Sequence, residues 1–295
     1  MSIDEIRRLI RARAHRGDTG LPGVRIIEVT NRTEPVPSVA DPTLAFSMQG
    51  AKRIMVGGDV HEQTPGTFIV FAVDLPITSH YTQASYAEPY LGFAIDLRPA
   101  AIAELLIGAA TNLRSSQTSP PPGLTTGSAT SEMLDAIARL LALMEHPDDA
   151  PVLAPLFERG ILWRVLSGPA GPVVRQIGLM DSSLTHIGRA IQHLRSHAFE
   201  PVQVEELAKL SAMAVSSFHK QFKTVTSMSP IQYQKRLRLQ EARLRLLRDP
   251  SDVARVGRSV GYSSASQFSR EYRRAFGVPP RGDALRMREA GGVDA

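Results

Sequence analysis

Apolar residues recur at helical spacing over residues 2–16, where Ile3, Ile6, Leu9 and Ile10 share one side of an arginine-rich segment. An amphipathic helix is predicted there. The pattern then breaks into short β-prone runs at 24–29, 43–48, 52–56, 67–73 and 91–97, punctuated by Pro35, Pro37, Gly57, Gly58, Pro65 and Gly66. Runs of this length and spacing predict a small antiparallel barrel or sandwich. After Arg98 the period lengthens again. Helices are expected over 99–113, 131–144 and 151–166, with a Ser/Thr/Pro/Gly loop at 115–127. The second of these helices is apolar over a wide arc, through Met133, Leu134, Ile137, Leu140, Leu141 and Met144. Such a helix is either buried in its own domain or shared with a second subunit. The Gly/Pro run at 167–172 reads as a hinge, and everything from Ser183 onward reads as helix after helix.

The last third contains an internal repeat. Val204, Leu207 and Met213 recur 49 residues later as Val253, Val256 and Tyr262. Phe218, Lys220, Phe222, Lys223 and Pro230 recur 50 residues later as Phe268, Arg270, Tyr272, Arg273 and Pro280, so one residue is inserted at the turn. Each copy is laid out as helix, short turn, helix, the arrangement whose second helix enters a DNA major groove. Aromatic residues four apart give each second helix a buried stripe. The opposite face carries Ser216, His219, Lys220 and Lys223 in the first copy and Ala265, Ser266, Ser269, Arg270 and Arg273 in the second. Small polar residues beside long cations suit close approach to base edges and phosphates. A solvated basic face is the alternative for one such helix, and two copies in register argue against it. Between them, residues 231–247 form a connecting helix on which Arg236, Arg238, Arg243 and Arg245 serve either phosphate contact or solubility.

Charge sharpens this division. Residues 1–180 hold 15 basic and 18 acidic side chains, whereas 181–295 hold 19 and 11, so the excess of +5 comes from the last third. A basic module behind a mildly acidic one fits a polyanion-binding unit joined to something else. Without cysteine there is no disulfide framework and no thiol nucleophile. No apolar run is long enough for a membrane helix, and a cytoplasmic location is expected.

The run from Val260 through Gly261, Tyr262, Ser263, Ser264, Ala265, Ser266, Gln267, Phe268, Ser269, Arg270, Glu271 and Tyr272 to Phe276-Gly277-Val278-Pro279-Pro280 resembles the signature of AraC/XylS-type transcription regulators. Ser217-Phe218-His219-Lys220-Gln221-Phe222-Lys223 and Arg238-Leu239-Gln240-Glu241-Ala242-Arg243 resemble it too. Around Asp41-Pro42-Thr43-Leu44, Val73-Asp74-Leu75-Pro76 and Pro89-Tyr90-Leu91-Gly92 the chain is similar to the cupin-like sensor of one branch of that family. The resemblance implies an α+β protein. Residues 1–167 would be a cupin-like β-barrel with flanking helices that senses an effector and dimerises, 168–182 a linker, and 183–295 an all-α DNA-binding domain with two helix-turn-helix units. It implies DNA contacts from Ser216, His219, Lys220, Lys223, Ser266, Ser269, Arg270 and Arg273. It also implies promoter DNA and RNA polymerase as partners, a homodimer, and activation rather than repression. Two departures stand out: Ala214 where the family has a Ser cap, and Ser227 where it has Gly.

Candidate chemistry adds little else. His61 and His80 are too few for the ligand set of a metal-holding cupin, and His186, His193 and His197 have no acidic or cysteine companion in phase. No phosphate loop, nucleophile elbow or zinc-protease motif occurs, so no resident cofactor or metal and no enzymatic activity are expected. The alternative is a cupin-type metalloenzyme with a nucleic-acid-binding tether. Arg7 and Arg11 form an Arg-x-x-x-Arg pair that resembles the arginine motif of cyclic di-GMP receptors of the PilZ type, although the companion Asp/Asn-x-Ser-x-x-Gly element is missing. That pair is either an effector clamp or a solvated helix face.

Overall fold

A computed structural model describes residues 3–14, 19–108, 121–180, 182–249 and 252–291. The first helix, α1 (Ile3–Ala14), buries Ile6, Leu9 and Ile10 and carries acids in its first turn and arginines in its last, as its dipole favours. Nine strands follow among the described residues: β1 (Val24–Val29), β2 (Val36–Ala40), β3 (Thr43–Gln49), β4 (Ala51–Val56), β5 (Asp59–Gln63), β6 (Thr67–Phe71), β7 (Leu75–Gln83), β8 (Tyr90–Asp96) and β9 (Leu124–Ser128).

They form two sheets, in the orders β1-β8-β3-β6-β9 and β2-β7-β4-β5, and every pairing is antiparallel. The closed barrel expected from the resemblance is not there. Three of the four edge strands are poor templates for a further strand: β2 contains Pro37, which has no N–H to offer, β5 is polar and mostly exposed, and β9 is polar and partly exposed. Helix α1 packs on β1, β3 and β8, joining a core in which Phe46 and Phe93 stack with centroids 4.7 Å apart.

Four helices continue the chain: α2 (Pro99–Gly108), α3 (Ser131–Ala142), α4 (Ala150–Ser167) and α5 (Gly171–Gly178), with a single 3-10 turn at Leu143–Glu145 after α3. Met133, Ile137, Leu140, Leu141 and Met144 are all buried within the chain, so α3 spends both of its apolar stripes on its own core. Residues 109–113 of the helix expected after Arg98 and residues 115–120 of the expected loop lie outside the described residues, and the part of that loop at 124–127 belongs to strand β9. Helix α5 falls inside the stretch read as linker. Gly171-Pro172 starts it, with proline in the first turn, where its missing N–H costs nothing.

The last part is helical: α6 (Ser183–Ser196), α7 (Val204–Leu210), α8 (Val215–Thr226), α9 (Pro230–Arg248), α10 (Val253–Ser259), α11 (Ala265–Phe276) and α12 (Pro280–Gly291). One apolar cluster runs from Ile6 to Leu237, through the sheets, α2–α6 and the α7–α8 pair. A smaller one, from Leu239 to Ala284, serves α10, α11 and α12, and α9 contributes to both. Among the described residues no helix is long and apolar enough to cross a membrane.

Candidate nucleic-acid interface

The repeat seen in the sequence is a repeat in space. α7 and α10 start 49 residues apart, and α8 and α11 start 50 apart, the extra residue lying in the turn between them. In the first turn Ala212 takes the left-handed conformation, at φ 51°; in the second Gly261 does so, at φ 87°, without the penalty a Cβ brings.

Helix α8 has no side-chain cap at Ala214, and it ends on Ser227 at φ 57°. Its buried side holds Phe218 and Phe222, whose rings lie 5.4 Å apart, and Phe222 meets Tyr233 of α9 edge-on at 5.6 Å. Helix α11 is better finished. Ser264 Oγ accepts from Gln267 N at 3.3 Å, and Gly277 supplies the left-handed end at φ 79°. Beneath it Tyr262, Phe268, Tyr272 and Phe276 form an unbroken chain of ring contacts. Asp283, wholly buried, accepts from Arg243 Nε at 2.7 Å, Arg243 Nη2 at 3.1 Å and Tyr272 Oη at 2.8 Å. Burial, with Asp283 beside it, pushes the Tyr272 phenol above its ordinary range.

The residues expected to meet DNA lie away from these cores. Ser216, His219, Lys220 and Lys223 on α8, and Ser266, Arg270 and Arg273 on α11, are exposed, while Ser269 is half-buried. Among the described residues no ion pair holds Lys220, Lys223, Arg270 or Arg273. Each helix thus presents at least two unneutralised cations beside small polar side chains, which is what phosphate and base-edge contact require.

Three of the four α9 arginines left open by the sequence have internal partners. Arg238 donates to Ala198 O and Glu200 O, both at 2.7 Å; Arg243 binds Asp283; Arg245 donates to Glu241 Oε1 at 2.8 Å and to Ser259 O at 3.0 Å. They are therefore structural, whereas Arg236 faces open clefts.

The helical part is tied to the sheets by contacts that the sequence did not announce. Asp74, 4% exposed, is paired with Arg195 of α6 at 2.5 Å and accepts from Gln192 Nε2 at 2.6 Å; Arg195 also binds Asp41 at 3.1 Å. Burial pushes the Asp74 carboxyl above its usual range, although Arg195 pulls it back. At the end of α8, Gly123 N donates to Val225 O at 2.8 Å and Ser227 Oγ to Asp59 Oδ2 at 2.8 Å. An acid flanked by Val73 and Leu75 was the available sequence signal for the first of these contacts; nothing local marks the second.

The Arg7–Arg11 pair is not a free clamp. Arg7 is spent on Asp4 Oδ1 at 2.8 Å and on Met48 O at 2.8 Å, while exposed Arg11 reaches Gln49 Oε1 at 3.5 Å. His193 and His197 do share a helix face, with rings stacked at 4.2 Å, and His193 lies 3.9 Å from Glu206. Among the described residues no group of three or more His, Cys, Asp or Glu is placed to hold a metal ion.

Comparison with known proteins fits this architecture. Residues 20–173, more than half of the chain, match the family model described as AraC-type transcriptional regulator N-terminus, and residues 207–283 match a helix-turn-helix domain. The transcriptional regulator ArgR of Pseudomonas aeruginosa is 29% identical over 149 residues, covering 50% of this chain and 45% of ArgR. The transcriptional activator RhaS of Escherichia fergusonii is 35% identical over 101 residues, 34% of this chain and 35% of RhaS. The chain thus spans about half, or less, of the length of the curated relatives it matches. The crystal structure of unsaturated fatty acid bound wild-type ToxT from Vibrio cholerae has the same fold, with a TM-score of 0.52 at 9% identity over 89% of this chain and 94% of ToxT.

Proposed function

Because the chain belongs to the AraC family of transcriptional regulators, we propose that it is a ligand-responsive, sequence-specific DNA-binding regulator that activates transcription. Residues 183–295 bind DNA, residues 1–167 sense the effector and dimerise, and residues 168–182 connect the two. The observation that carries this reading is the pair of exposed, unpaired cationic faces on α8 and α11. Each helix enters a major groove. Lys220, Lys223, Arg270 and Arg273 reach phosphates and guanine edges, and Ser216, His219, Ser266 and Ser269 lie close to the bases. The 19-residue α9 spans about 28 Å, near the roughly 34 Å between successive major-groove faces. A homodimer on paired half-sites and contact with RNA polymerase complete the proposal.

Selection of bound duplexes from a random pool tests it. One enriched motif with two major-groove segments is expected, with Lys220→Ala relaxing preference in one segment and Arg270→Ala in the other, each weakening binding by about 1–3 kcal/mol. Enrichment of no motif, or preferences unchanged in both variants, would remove the reading.

For the effector, ToxT with its bound fatty acid supplies a precedent on this fold for a small molecule. A cyclic dinucleotide at Arg7 and Arg11 has no such support, and Arg7 is already engaged. The metalloenzyme alternative gains nothing from a family of transcriptional regulators.

A further inference from the structure

Residues 1–180 hold fourteen arginines and a single lysine, Lys52. An arginine stays charged in a protein, whereas a lysine gives up its proton where burial favours the neutral amine. Lys52 lies on β4, whose side chains alternate between the two faces of the sheet. It shares its face with Ile54 and Val56, both buried in the main apolar cluster. Arg53, the next residue, takes the opposite face and is paired with Glu62 of β5 at 2.5 Å. Across the ladder Lys52 stands between Gln63 of β5 and Tyr81 of β7. Two neighbouring cations on one strand have thus been given opposite surroundings.

No acid answers the Lys52 amine. Among the described residues no carboxylate pairs with it and no oxygen accepts a hydrogen bond from it. Its Nζ stands 5.1 Å from the centre of the Tyr81 ring instead. That ring meets Tyr90, on the other sheet, with centroids 4.7 Å apart, and both Tyr90 and Gln63 are buried. A ring face replaces the lost hydration of an ammonium only in part. Burial accordingly pushes the Lys52 pKa down to about 8. At pH 7 roughly one such amine in ten is uncharged, against roughly one in three thousand for an ordinary lysine. Lys52 and Tyr81 are half-buried, not enclosed, so a small molecule can reach them.

We propose that Lys52 is a covalent acceptor for aldehydes, which it captures as an imine beside the Tyr81 ring. The uncharged Nζ attacks the carbonyl carbon, and the π electrons of the C=O bond move to oxygen. Both N–H protons pass through solvent to that oxygen, which leaves as water while the C=N bond forms. No oxidant or reductant enters, and water restores amine and aldehyde by the reverse path. An aromatic aldehyde suits the corner best. Its imine is conjugated and flat, and it lies on the Tyr81 face that the ammonium now occupies. An uncharged electrophile also needs no counter-ion where none is provided. As an effector event this rests on the ligand-responsive reading; the capture itself does not.

The test incubates the full chain with benzaldehyde, reduces any imine to a stable benzylamine with borohydride, and maps the modified lysines by mass spectrometry. Lys209, Lys220, Lys223 and Lys235 are exposed and serve as internal controls. At pH 7 Lys52 is expected to be benzylated at least about tenfold more than any of them. The excess should shrink as the pH is raised to about 10, where the exposed amines lose their protons too. Lys52→Arg keeps the charge and should lose the adduct at this position, with labelling of the other four unchanged. Should that variant fail to fold, the map of the unaltered chain carries the test. Lys52 labelled no more than the exposed lysines overturns the proposal. So does benzoate protecting the chain against heat as well as benzaldehyde does, which would make Lys52 the counter-ion of an acid. Labelling is read without DNA, so its failure leaves the selected operator motif untouched. Labelling that leaves operator binding unchanged upholds the capture and removes only the ligand-responsive reading.

Discussion

The two helix-turn-helix units share a register and differ in what holds them. The second has its own small core, a capped entry at Ser264, a glycine exit at Gly277 and a buried Arg243–Asp283 pair. The first has no cap at Ala214, a serine forced left-handed at its exit, and an apolar core that is continuous with that of the sheets. Its last turn is bonded to Gly123 and Asp59 of the sheet region. A duplicated sequence has therefore produced one self-supporting unit and one supported from outside. Whatever moves the sheets reaches α8 directly, whereas α11 feels them through α9.

The hardest test of that contrast removes the support peculiar to the second unit. Asp283→Ala leaves Arg243 buried without its counter-charge, a change that costs about 3–5 kcal/mol. Hydrogen exchange should show the loss in α10, α11 and α12, with the amides of α8 still protected. Joint loss in α8 would break the contrast. Replacing Arg243 and Asp283 together by Met and Leu should recover much of the stability, because a buried pair contributes little over well-packed apolar residues.

The reciprocal test loosens the first unit from the sheet side. Gly57 sits at φ 59°, and a Cβ there would lie 2.7 Å from Ser227 O, so Gly57→Ala strains the β4–β5 turn and pushes on the end of α8. A loss of about 1–3 kcal/mol is expected, with protection falling in α8 and not in α11. A uniform fall across both units would mean that the sheet contact serves the whole helical part.

The contrast was half visible in the sequence. Both units and their offset could be read directly, because aromatic residues four apart and a glycine at a turn are local signals, whereas the departures at Ala214 and Ser227 came from the family resemblance. The inner strands β3, β4, β6 and β8 were equally plain, being apolar runs. The strands that escaped were mostly edges: β2 with its proline, β5 as Asp-Val-His-Glu-Gln, and β9 as Leu-Thr-Thr-Gly-Ser. An edge needs little apolar surface and profits from polar residues, so its pattern resembles a loop. The inner strand β7 escaped because it carries Pro76 and His80. The fourth edge, β1, is an apolar run, Val-Arg-Ile-Ile-Glu-Val, and was legible for that reason. Arg236 was legible only as one arginine among four; its lack of a partner is a property of what surrounds α9, and no spacing along the chain encodes it.

Acid should act on the sheet contact through Asp74. Its folded pKa lies above the free value of 3.8, so its contribution is fully present below that value and is lost as pH rises through the folded pKa. Urea unfolding at a series of pH values should show stability declining in that window, and Asp74→Asn should flatten the decline. A steeper slope in the variant would show that another carboxyl governs this contact.

The smallest change addresses the helix ends. Ala214 already has the extended backbone of a capping residue, at φ −65° and ψ 147°, but offers no oxygen to the first free amides of α8. Ala214→Ser should add about 1 kcal/mol, and Ser264→Ala should remove about as much from the second unit. The first figure is read from denaturant midpoints at constant slope, the second from exchange in α11. If Ala214→Ser adds nothing, missing caps do not explain the weakness of the first unit. Its dependence on the sheets would then lie in the Ala212 turn and the Ser227 exit, where a side chain occupies a conformation better suited to glycine.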